Sequence, residues 1–229
     1  MGISIYDGLD TSPWKSGWEP GAPVFEGYEN EVLAIEKKYD AAARQGETVF
    51  YGASNFRMWK NMDKDLAAFK TQNHGFGGAT DVLLIHYAER LLFAYRPKTA
   101  VIQSGSNDYA GLKGKPARQA EASLSLKRRM YEYFCRELPD TKFIVLSAIL
   151  MPGAPFWTET SLLVNEDLRK LCEELPQLEF LNIDGLTFDG KEYRTEIFRS
   201  DGIHLNRDGQ LLLCNEYILP KLKDKEDRC

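Results

Sequence analysis

The sequence predicts a three-layer α/β domain, a parallel sheet with helices on both faces. Two observations carry that reading. Short apolar, β-prone runs alternate with segments of helical spacing along most of the chain, the pattern of right-handed βαβ crossovers. The runs also break at glycine or polar residues, so polar side chains collect past the strands' carboxyl ends, where open α/β sheets bind ligands. The 229 residues suffice for one full core, and no repeat or linker divides them, so a single domain over residues 1–229 is expected.

The elements follow in order. Residues 1–23, with Pro13, Pro20, Pro23, Trp14 and Trp18, read as an irregular arm docked by its aromatics. Tyr28, Val32, Leu33, Ile35 and Tyr39 have helical spacing, which ends before Gly46. A first strand, Thr48 to Tyr51, breaks at Gly52 and delivers Ser54 into a helix running from Phe56 through Leu66. Lys70 to His74 is a second strand, followed by Gly75-Phe76-Gly77-Gly78, where the backbone takes positive φ or admits a close approach. A helix from Ala79-Thr80-Asp81 through Leu92 leads to a third strand, Thr99 to Gln103, and then to Ser104-Gly105-Ser106-Asn107-Asp108. After the loop from Tyr109 to Pro116, a long helix spans 117–138 and a fourth strand Lys142 to Ala148. Pro152, Gly153 and Pro155 make a loop whose Phe156 and Trp157 are expected to line a pocket, with Phe76 a further apolar wall. A helix from Thr160 to Leu175, a fifth strand from Leu178 to Ile183, a polar loop over 184–199 and a helix from Asp208 to Leu222 complete the chain, with a solvated tail at 223–229.

Composition narrows the function classes. The net charge of −5, with no basic face in view, argues against a nucleic-acid partner. The start lacks the basic and apolar blocks of a signal peptide, and no segment is apolar enough to span a bilayer, so a cytoplasmic location is expected. Cys135, Cys172, Cys214 and Cys229 are scattered, which indicates neither a zinc site nor a disulfide framework; three are expected to pack as small apolar residues and Cys229 to be exposed. His74 and His86 form no metal-ligand spacing and read as satisfied by local hydrogen bonds. No metal or cofactor is expected.

Nucleophilic hydrolysis of an ester needs a hydroxyl, a base, a group that holds the base's tautomer, and donors for the oxyanion. Taken alone, Ser54 also resembles a helix N-cap and the glycine-rich run a tight turn. Downstream residues supply the remaining parts. His204 lies in a loop, and Asp201, three residues earlier, can accept from its Nδ1–H. The Ser54 and Gly78 backbone N–H groups and the Asn107 side-chain amide are candidate oxyanion donors.

These residues fall in four ordered blocks, Gly52-Ala53-Ser54-Asn55, Asn73-x-Gly75-x-Gly77-Gly78, Gly105-x-Asn107-Asp108 and Asp201-x-x-His204. In that arrangement the chain resembles the SGNH, or GDSL, hydrolases from about Glu26 to Leu222. The resemblance implies a flavodoxin-like fold with five parallel strands in the order 2-1-3-4-5. It implies Ser54 as nucleophile, Gly78 and Asn107 completing the oxyanion hole, and Asp201 with His204 finishing a triad. Ala53 stands where the family usually has an aspartate outside the triad, a departure that bears on loop rigidity more than on chemistry. The expected activity is that of a serine esterase acting on a short-chain or carbohydrate-linked acyl ester. Lysophospholipid, acyl thioester or acetylated amine substrates are the alternatives within the family, and a non-catalytic binding protein on the same fold is a third class.

Overall fold

The computed structural model describes residues 4–24 and 26–226. Its centre is a five-stranded, all-parallel sheet in the order β2-β1-β3-β4-β5, formed by Thr48–Gly52 (β1), Thr71–Gly75 (β2), Thr99–Gln103 (β3), Lys142–Leu146 (β4) and Leu178–Leu181 (β5). Register places Tyr51 beside His74 on one side and Ile102 on the other, so the ends of β1, β2 and β3 finish level with one another.

Alternation along each strand divides the core into two layers. Val49, Tyr51, Ala100, Ile102, Phe143 and Val145 face one way, against Asp81–Leu91 (α4), Pro116–Glu137 (α6) and Thr158–Glu174 (α7). Phe50, Val101, Ile144 and Leu146 face the other way, against Trp59, Met62 and the final helical stretch with Leu213, Ile218 and Leu222. Both faces of the sheet are therefore dry, which explains why its strands read as apolar runs. Glu29–Lys38 (α1) buries Val32 and Ile35 in the first layer.

Helix boundaries follow local chemistry. The Thr80 hydroxyl caps α4 by accepting from the Leu83 N–H at 3.3 Å, and Pro116 opens α6 where its missing N–H costs nothing. The expected helix from Phe56 to Leu66 is instead two single turns, Ser54–Arg57 (α2) and Met62–Asp65 (α3). The Asn73 side-chain amide takes the Phe56 carbonyl at 2.7 Å, a carbonyl that a continuing helix would give to Lys60. The break turns both Trp59 and Met62 into the second layer.

The loop after β5 is also more structured than expected, with one turn at Asp184–Thr187 (α8) and a 3-10 turn at Thr195–Ile197. The last helix opens at Arg207–Leu212 (α9), passes through a π segment at Leu213–Ile218 and continues as Leu219–Glu226 (α10), so part of the expected solvated tail is helical. Cys229 lies outside the described residues, whereas Cys172 and Cys214 are buried and Cys135 half-buried, all three as free thiols.

The N-terminal arm is docked as its tryptophans suggest. Trp14 is buried and bridges to Leu112, with the Lys15 N–H donating to the Gly111 carbonyl and the Lys113 N–H to the Pro13 carbonyl, each at 2.7 Å. Trp18 lies over Gly111, where an added Cβ would meet its ring at 2.6 Å. No helix among the described residues is long and apolar enough to cross a membrane.

Candidate active site

Ser54 is the first residue of α2, directly beyond β1. Its N–H is thus one of the donors that a helix start leaves without an intrahelical acceptor. Gly52 brings β1 and β3 together here, since a Cβ at that position would stand 2.2 Å from the Gln103 carbonyl oxygen. Ala53 is buried in the first core layer.

The three polar residues named from the sequence meet in one hydrogen-bonded chain. His204 Nε2 lies 2.9 Å from Ser54 Oγ, and His204 Nδ1 lies 2.7 Å from Asp201 Oδ2. The other Asp201 oxygen accepts the Ile203 and His204 backbone N–H groups at 2.8 and 3.0 Å. Burial pushes the Asp201 carboxyl up, but the hydrogen bonds from the His204 ring and the two amides outweigh it and hold the group down at about 2. An ionised Asp201 accepts the Nδ1–H, which leaves the Nε2 lone pair facing the serine hydroxyl; the network itself assigns that tautomer.

Two contacts not anticipated from the sequence hold this chain in place. Asn55 Oδ1 accepts the Leu205 N–H at 3.0 Å, tying the turn that carries Ser54 to the loop that carries His204. Gly153 and Gly202 touch backbone to backbone, with the Gly153 N–H donating to the Gly202 carbonyl at 2.9 Å. A Cβ on Gly153 would lie 2.3 Å from the Asp201 carbonyl oxygen, and Gly202 sits at φ +64°. In the sequence Gly153 is visible only as a turn glycine between two prolines.

The candidate oxyanion donors lie on the adjoining loops. Gly78 adopts φ +66°, in the left-handed region that favours glycine, with the Tyr28 hydroxyl 3.1 Å from where a Cβ would be. The preceding Gly77 N–H donates to Glu31 Oε2 at 2.9 Å. Asn107, in the turn Ser106–Tyr109 (α5), donates from Nδ2 to the Ala79 carbonyl at 2.9 Å, which uses one of the two N–H bonds of its amide. Asp108 is fully buried and accepts from the Asp81 N–H.

The expected pocket residues divide. Phe76 is a correction: it is fully buried, with its ring 5.9 Å from Tyr28 and 5.7 Å from Tyr87, and presents no surface to a ligand. Its N–H donates to the Gly52 carbonyl at 3.1 Å, so β2 pairing continues one residue beyond the strand, and alternation turns Phe76 into the core two positions after His74. Phe156 is 70% exposed, whereas Trp157 is half-buried with its ring 6.0 Å from Tyr109 and 5.1 Å from Phe156. His74 is buried, its Nδ1 2.6 Å from the Leu91 carbonyl, and burial pulls its pKa down to about 4. His86 is exposed and packs edge-on against Tyr87.

Comparison with known proteins adds the family. Solved structures similar to this chain include a GDSL-like lipase from Bacteroides thetaiotaomicron, 16% identical over 88% of this chain and 100% of that one, with a TM-score of 0.64. They also include a family 3 carbohydrate esterase from Talaromyces cellulolyticus (15% identical, 81% and 100% covered, TM-score 0.58) and a variant acetyl-xylooligosaccharide esterase from Geobacillus (13% identical, 78% and 94% covered, TM-score 0.58). At those identities the likeness is one of fold. A search of curated proteins returns no match. The sequence pattern of the GDSL-like lipase/acylhydrolase family matches residues 42–212, and the chain therefore belongs to that family.

Proposed function

We propose that this hydrolase is a serine esterase in which Ser54 is the nucleophile, His204 the general base and acid, and Asp201 the group that orients the imidazole. The observation that carries the reading is the continuous chain from Ser54 Oγ through His204 to Asp201, at 2.9 and 2.7 Å. Both distances lie within the range proton transfer needs.

As Ser54 Oγ bonds to the ester carbonyl carbon, its proton passes to His204 Nε2, and the carbonyl π electrons move onto oxygen. The Ser54 and Gly78 N–H groups and the second N–H of the Asn107 amide stabilise that oxyanion. Collapse breaks the carbon–alkoxy bond, and His204 returns its proton to the departing alcohol. Water then repeats the sequence on the acyl-Ser54 ester and releases the carboxylic acid. Asp201, ionised throughout, stabilises the transient imidazolium.

The substrate we propose is a short acyl ester, with a sugar as one fitting alcohol. The Gly153–Gly202 hydrogen bond ties the loop that leads into Phe156 and Trp157 to the Asp201–His204 loop, and that aromatic pair offers apolar surface for a small acyl group or one face of a sugar ring. The solved carbohydrate esterases of similar fold support the same direction. Lysophospholipid and acyl thioester remain the alternative substrates. Two measurements test the reading: a fluorophosphonate should label Ser54 and no other serine, and acetyl esters should be hydrolysed by the wild type but not by Ser54→Ala. Wild-type turnover in Ser54→Ala refutes the assignment, and preference for a long-chain lysophospholipid over acetyl esters refutes the substrate class.

A further inference from the structure

Three ionisable side chains are sealed beneath the loop that follows β3. Asp81 opens α4, Asp108 follows Asn107, and Lys127 lies within α6; none is more than 1% exposed. Lys127 Nζ donates to Asp81 Oδ2 at 2.8 Å and to Ser104 Oγ at 2.9 Å. The Asp81 N–H is shared between the two carboxylate oxygens of Asp108, at 3.1 and 3.2 Å. Gly105, at φ +128°, passes so close to the ammonium that an added Cβ would lie 3.3 Å from Nζ. Burial and the neighbouring Asp81 push the Asp108 carboxyl well above the usual range, with Lys127 opposing them.

Stability is a poor explanation for this arrangement. A buried ion pair commonly returns less than its desolvation costs, and apolar residues of similar size do as well or better. The same face of α6 buries Met130, Tyr131 and Phe134, so an apolar residue at 127 would have suited the core. What distinguishes the ammonium is the pair of segments it joins. Ser104 begins the loop that carries Asn107, and Asp81 lies two residues after Ala79, whose carbonyl accepts from the Asn107 amide. Lys127 thus grips both sides of the gap that the Asn107–Ala79 hydrogen bond spans.

We propose that Lys127 is a positioning residue for the oxyanion donor: by bridging Asp81 and Ser104 it sets the spacing between the β3 loop and the start of α4, and so aims the free N–H of the Asn107 amide. The proposal rests on the reading of Asn107 given above. Lys127 touches no reacting atom. It acts through Asn107, and its loss should be felt in turnover and not in substrate affinity.

The test is a double-mutant cycle on purified protein, with an acetyl ester as substrate and rates expressed per site titrated by a fluorophosphonate. Lys127→Met should lower kcat per titrated site by about tenfold to a hundredfold, as expected for a donor displaced by about an ångström, with KM within about twofold. In an Asn107→Ala background the same substitution should change kcat by less than about threefold, because the group it positions is already gone. Equal fold-losses in both backgrounds, or wild-type kcat per titrated site in Lys127→Met, overturn the proposal. If Lys127→Met does not fold, Ser104→Ala, which removes one acceptor and keeps the ion pair, decides: a severalfold loss of kcat at unchanged KM supports it, and wild-type kcat overturns it. Absence of fluorophosphonate labelling at Ser54 in the wild type would instead mark failure of the underlying esterase reading.

Discussion

Replacing Gly153 by alanine should disable the hydrolase from a residue that touches neither Ser54 nor His204. The new Cβ would stand 2.3 Å from the Asp201 carbonyl oxygen and 3.0 Å from the Gly202 carbonyl carbon, whereas ordinary contact begins at 3.4 Å. Both obstacles are backbone, so no side chain can swing aside. The two loops must part by about 1.1 Å, the difference between 3.4 and 2.3 Å. Gly153 does not need a positive φ, so alanine is admissible there and the clash is the whole of the effect. A shift of that size carries His204 Nε2 from 2.9 Å to about 4 Å from Ser54 Oγ, beyond hydrogen-bonding reach. Misplacement by about an ångström costs roughly a hundredfold in rate, or about 2.7 kcal/mol of transition-state stabilisation. Initial rates on an acetyl ester, compared with thermal unfolding of the same preparation, check this. A Gly153→Ala protein with wild-type kcat/KM would refute the argument that the two loops move as one.

The remaining predictions concern the chemistry and the substrate. Asn107→Ala should lower kcat by about a hundredfold to a thousandfold, the usual loss for one oxyanion donor of about 2.7–4 kcal/mol, measured as initial rate per titrated site. Asp201, held down at about 2, stays ionised above that value, so a pH–rate profile should show no fall from its protonation at mildly acidic pH. Because its pKa is depressed on folding, the stability Asp201 contributes is present above the unfolded-state value and is lost only as pH falls through about 2, which acid unfolding of Asp201→Asn against wild type will register. Trp157→Ala should raise KM more than it lowers kcat, and acetyl or butyryl esters should exceed esters of ten or more carbons in kcat/KM; equal rates on a palmitoyl ester would refute the short-chain reading.

Much of this architecture is legible in the amino-acid order, for a physical reason. Strands dry on both faces must be continuous apolar runs, so Thr48–Gly52 and Thr99–Gln103 announce themselves together with the polar residues at their ends. What stays hidden depends on partners distant in sequence. The break after Arg57 is set by Asn73, 17 residues beyond Phe56. Phe76 looks like a loop residue among three glycines, and only its pairing with the Gly52 carbonyl turns it inward. Lys127 reads as one more charge on an amphipathic helix, because nothing local reveals that Asp81 and Ser104 await it. Asn55 reads as part of a helix start, and its work is done on Leu205.

The clasp of the N-terminal arm on residues 110–113 has a bearing on how the protein matures. Trp14 meets Leu112 across almost half the chain, and Ser54 meets His204 across 150 residues. Contacts that close such long loops pay their entropy before they return any energy, and are slow to form. The arm is synthesised about a hundred residues ahead of its partner strip, and His204 follows later still. Catalytic competence is therefore the last property a refolding molecule should regain, well behind its helix content. Recovery of esterase activity, followed in time beside far-ultraviolet circular dichroism, would read out the closing of these long loops.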